Sequence, residues 1–161
     1  MKYAVTEEEN TYKIVISSDL WTPALLEHFQ NKKSTKYDFF AAFNISQTVT
    51  TISSKILPNL QKSKDIHICG YSLGSIVAIY LALSLQSQDY PVKRVITFAQ
   101  PSVITPKDFG NSHGLGLVRI LLPKEPAGCL FDNHASAGHL LVLTSKPILE
   151  PIPSFGDQVS L

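Results

Sequence analysis

Polar and apolar positions along the chain fall into blocks with two different periods. Tyr12-Lys13-Ile14-Val15-Ile16 alternates and is rich in β-branched residues, which predicts a strand. Asp65-Ile66-His67-Ile68-Cys69 is a short apolar run that predicts a buried strand. Val92 to Phe98, Leu117 to Leu122 and Gly138 to Thr144 predict three more. Between Asn44 and Leu60 the period changes. Ile45, Val49, Ile52, Ile56 and Leu60 are spaced to make one face of a helix. Its serines and threonines lower helix propensity, and Pro58 ends or kinks it. Ser75 to Leu83 is apolar all round, the pattern of a buried helix. Thr22-Pro23 opens a short helix from Ala24 to Gln30, with threonine as cap and proline in the first turn. Residues 31–35 and 86–91 read as loops, Tyr37 to Phe43 fits a strand or a loop, and Lys146 to Leu161 reads as a Pro-rich tail. Strands alternating with helices call for an α/β fold: a mostly parallel sheet with helices on both faces. No repeat and no second domain is visible. The expectation is one domain over residues 1–161, with its core at about 12–144.

Composition narrows the function classes. A chain of 161 residues buries about 70% of its unfolded surface, so a core needs neither metal nor disulfide. Hydrophobic residues make up 44% and charged residues 17%, as in a globular and somewhat apolar protein. A net charge of +1 with scattered lysines argues against a nucleic-acid partner. Cys69 and Cys129 are the only cysteines, and no metal-binding spacing surrounds them. Cys69, at a strand end, fits a small buried thiol. The first ten residues carry three acids and no apolar stretch, so no signal peptide is read and a cytoplasmic location is expected, with non-classical export left open. No run reaches membrane-spanning length, which leaves peripheral membrane contact open.

Candidate chemistry begins at Gly70-Tyr71-Ser72-Leu73-Gly74, a G-x-S-x-G segment between a predicted strand and a predicted helix. A tight strand-to-helix turn there lifts the serine hydroxyl clear of the sheet, and small neighbours avoid backbone clashes. The helix N-terminus then faces the place where negative charge develops. Trp21, Leu25, Leu26 and Phe29 fit the buried face of a short helix, or the lining of an acyl pocket.

The stretch from Ile66 to Val103 resembles the class 3 lipases, the fungal triacylglycerol lipase-like branch of the α/β hydrolases. Their nucleophile segment typically reads G-H-S-L-G-G, and Gly70-Tyr71-Ser72-Leu73-Gly74-Ser75 stands in its place. Their next strand ends T-F-G-Q-P-R-V, matched by Thr97-Phe98-Ala99-Gln100-Pro101-Ser102-Val103. The resemblance implies a compact α/β-hydrolase-like fold with minimal or no lid. It also implies a serine esterase or lipase that uses an acyl-enzyme on Ser72, with a lipid or other acyl ester as substrate and no cofactor. Arg119 to Pro126 resembles the family's R-V-x-N-x-x-D-P, which puts Glu125 on the family's acid, with Asp132 and Asp108 as rivals. His134, followed by small residues and an apolar run, takes the place of the family's base, with His139 as competitor. His67 reads as structural, and His28 and His113 as surface residues. The order serine, acid, histidine is that of α/β hydrolases. The oxyanion donors are the backbone N–H of Leu73 and, by resemblance, a backbone N–H near Asp19 or Leu20, where the family's arginine and hydroxyl are missing. That departure implies weak activity. It also sustains an alternative: a hydrolase-like fold without catalysis that serves as a binding or interaction protein.

Overall fold

The computed structural model describes residues 1–18, 41–101, 115–122 and 138–143. Within them the chain forms β1 (Lys2–Glu8), β2 (Thr11–Ser18), α1 (Ile45–Ile56), a 3₁₀ turn (Leu57–Asn59), β3 (Asp65–Ser72), α2 (Leu73–Gln86), β4 (Val92–Phe98), β5 (Gly116–Leu121) and β6 (His139–Val142). One sheet holds all six strands in the order β1-β2-β3-β4-β5-β6. β1 runs antiparallel to β2, and every other pairing is parallel. The alternation at Tyr12 to Ile16 extends to Ser18, and the run at Asp65 reaches Ser72. β1 is an addition to the sequence reading, which assigned the N-terminal residues to no element.

The strands step across the sheet in one direction. Right-handed crossovers between such strands all land on the same face. α1 and α2 do so, both packing on the side that carries Ile14, Ile16, Ile66 and Ile68. α2 is sandwiched between β2, β3 and β4 beneath it and α1 beside it, which is why it is apolar nearly all round. α1 turns Ile45, Val49, Ile52 and Ile56 inward. Pro58 sits in the 3₁₀ turn that closes it, and the Tyr12 hydroxyl donates to the Asn59 carbonyl at 3.1 Å. Among the described residues, α1 and α2 supply the expected helical cover on this face. The opposite face carries Val15, Cys69, Tyr71, Phe98 and Leu141, with Val15 48% and Tyr71 51% exposed. Cys69 is a half-buried free thiol, pushed up by burial rather than enclosed.

The predicted helix from Ala24 to Gln30 and the tail from Lys146 to Leu161 lie outside the described residues. No helix among the described residues is long and apolar enough to cross a membrane. Among the same residues no cluster of histidine, cysteine or carboxylate side chains could hold a metal ion.

Candidate active site

Ser72 is at once the last residue of β3 and the cap of α2, with φ 56° and ψ −127°. Positive φ at a residue with a side chain costs on the order of 1–3 kcal/mol and persists only where the surroundings impose it. Two glycines impose it here. A Cβ on Gly70 would sit 2.5 Å from the Ser75 Cα and 2.9 Å from the Ala78 Cβ. A Cβ on Gly74 would sit 2.5 Å from the Ile16 carbonyl oxygen. α2 therefore lies directly on β3 and on the backbone of β2. The strand has no room to continue, and the chain must turn sharply at Ser72.

That turn gives Ser72 its surroundings. Leu73 is the first residue of α2, and backbone N–H groups in a first helical turn have no partner within the helix. They carry the partial positive charge of the helix dipole, and no acidic side chain in the first turn neutralises it. The Ser75 hydroxyl donates to the Phe98 carbonyl at 3.0 Å, tying the same turn to the end of β4. The Ser72 side chain is buried, and its hydroxyl has no hydrogen-bond partner among the described residues.

Ser18 was missed in the sequence. It pairs in register with Ser72 across β2 and β3, so the two Cα atoms are neighbours about 5 Å apart. It continues the buried series Tyr12, Ile14, Ile16, so its side chain points to the face of α2, as that of Ser72 does. Its hydroxyl is also buried without a partner among the described residues. The signal was available: a period of two, carried one step beyond Ile16, puts Ser18 on the inner face.

Polar side chains also line the ends of β4 and β5. The Thr97 hydroxyl donates to the Gln100 amide oxygen at 2.7 Å in a buried pair. Ala99, between them, has φ 48°. Arg119 lies beside Thr97 in register and is buried, and burial lowers its guanidinium to about 10.

The register separates the candidate partners of Ser72. Tyr71, Phe98, Ile120 and Leu141 share one level across β3 to β6. His139 is two residues below Leu141 and points to the open face, three strands from β3. It is therefore roughly 14 Å across and roughly 10 Å down from Ser72, on the wrong side of the sheet. It does not meet the nucleophile. Leu121, at the end of β5, is at the level of Ser72. Glu125, His134, Asp132, Asp108, Asp19 and Leu20 themselves lie outside the described residues.

A family profile described as Lipase (class 3) matches residues 7–121. The chain belongs to the class 3 lipase family. The match runs from the end of β1 to the end of β5, includes Ser72, and stops before Glu125 and His134. Among solved structures, the chain is similar to a fungal lipase in complex with an inhibitor, from a study of interfacial activation in lipases. The TM-score is 0.52 at 17% identity, over 81% of this chain and 56% of that one. The likeness shows the same α/β-hydrolase-like fold, in a chain spanning little more than half the fungal lipase's length. A search of curated proteins returns no match.

Proposed function

We propose that this class 3 lipase chain is a serine ester hydrolase acting on lipid or other acyl esters through an acyl-enzyme on Ser72. The observation that carries the reading is the backbone of Ser72: a buried hydroxyl held at positive φ between two glycines, at the start of a helix. Strain of this kind belongs to functional sites. In the proposed reaction the Ser72 oxygen attacks the ester carbonyl while His134 takes its proton. The Leu73 N–H and the Ser18 hydroxyl stabilise the oxyanion, with a backbone N–H at Asp19 or Leu20 adding to them. His134 then protonates the leaving alcohol, Glu125 orients the imidazole, and water releases the acyl group with His134 as base. Ser18 supplies a hydroxyl at the strand end where the family's own is missing. The family match stops at Leu121, which favours the second reading, a binding protein without catalysis.

Hydrolysis of p-nitrophenyl esters, with fluorophosphonate labelling of the folded chain, decides between them. Ser72→Ala abolishes both signals and leaves the circular dichroism spectrum unchanged. Ser18→Ala keeps the labelling site and lowers turnover by on the order of 10²–10³, the usual cost of one oxyanion donor. A folded wild-type chain that neither labels nor turns over supports the binding protein.

A further inference from the structure

Among the described residues β1 is an edge strand, paired with β2 on one side only, and all seven of its residues are exposed. Edges that stay single are usually guarded by proline, by a bulge or by charge. β1 has no proline, and its register with β2 runs unbroken from Lys2 to Glu8. Its charges are segregated, with Lys2 at one end and Glu7 and Glu8 at the other.

Segregated charges block one pairing and favour another. Two parallel copies in register would set Lys2 on Lys2 and Glu8 on Glu8. Two antiparallel copies centred on Val5 set Lys2 against Glu8, Tyr3 against Glu7, Ala4 against Thr6 and Val5 against itself. A shift of two residues in either direction loses the Lys2–Glu8 match. The two faces agree with this register. Val5 and Tyr3 oppose Ile14 and Ile16, so they stand on the helix side, 40% and 38% exposed. They border a groove whose other side is formed by Lys55, Ile56 and Asn59. In the antiparallel pair Val5 is covered by its counterpart, and Tyr3 lies along the second copy's Glu7. Lys2 and Glu8 meet on the opposite face, where Glu8 already pairs with Lys13.

We propose that β1 pairs antiparallel with β1 of a second copy of this chain, joining both sheets into one across a two-fold axis at Val5. Such an interface is isologous, as in most homodimers. Edge pairing of one short strand buries less than a standard interface, so the dimer is weak and forms at micromolar concentrations.

Sedimentation velocity of the full chain across a concentration series reads the association. The wild type shows a concentration-dependent monomer–dimer equilibrium. Lys2→Glu and Glu8→Lys each raise the dissociation constant about tenfold, because each converts both symmetry-related ion pairs into like-charge pairs. The double variant Lys2→Glu with Glu8→Lys returns to within a few-fold of the wild type, which fixes the register. Lys2→Glu leaves the Glu8–Lys13 pair intact, so it reads the interface even if Glu8→Lys perturbs the monomer. A monomer at every concentration, a dimer indifferent to both single swaps, a double variant as weak as the singles, or association beyond the dimer each overturns the proposal.

Discussion

Ala99 carries a cost that its neighbours explain. It follows β4 at φ 48°, where a Cβ is crowded, and its N–H is held by the Ile120 carbonyl at 3.0 Å. The family segment it resembles has glycine there. Ala99→Gly relieves about 1–2 kcal/mol of left-handed strain and returns part of that as unfolded-chain entropy. A net gain of about 0.5–1 kcal/mol follows. It appears as a higher urea midpoint at unchanged slope, and a lower midpoint would contradict the strain argument. Ser72 bears a comparable strain, but there the strain aims a hydroxyl. At this scale the sequence told much about Ser72, because glycines at fixed offsets have steric consequences that can be read without a structure. It told little about Ser18, whose role depends on which residue of another strand lies beside it. The choice between His134 and His139 was equally closed to the sequence. Strand level and facing direction separate His139 from Ser72, and neither is visible until the register is known.

Between elements, the contact that matters is glycine on backbone. Gly74 lets the first turn of α2 rest on the Ile16–Ser17 peptide. Gly74→Ala would place a Cβ 2.5 Å from a carbonyl oxygen that cannot rotate away. The helix or the strand must shift, at a cost of about 1–3 kcal/mol as for other overpacked sites. That shift would also move Leu73 relative to Ser18. Thermal melting of Gly74→Ala should therefore fall, and fluorophosphonate labelling at temperatures below the melt should slow as well. Full labelling speed in a destabilised variant would separate packing from site geometry. The helices and inner strands were legible because their periods survive burial. α1 ends at Ile56, two residues before the Pro58 expected to end or kink it, and Val92 to Phe98 matches β4 residue for residue. β1 escaped notice for a physical reason. Exposed on both faces, it has no buried side to impose alternation, and its acids read as an ordinary solvated terminus.

For the molecule as a whole, the strand order sets what is covered. Among the described residues, β2, β3 and β4 step one way across the sheet, and the helices between them, α1 and α2, lie on one side. The alternation of strands and helices made the mostly parallel sheet legible in the sequence, whereas the face that each helix covers depends on strand order, which periodicity does not carry. The same order sends every parallel strand to end on one rim of the sheet, and Ser72 sits on that rim. Antiparallel pairing through β1 turns the second copy end over end. The two nucleophiles would then face opposite directions, roughly 24 Å apart across the joined sheet and roughly 27 Å along the strands, or about 36 Å in all. A dimer of that kind resembles a two-headed coin: resting on a flat bilayer, it can present only one site at a time. Turnover per copy should fall to about half when the dimer forms on lipid vesicles, and should stay level on a freely dissolved ester.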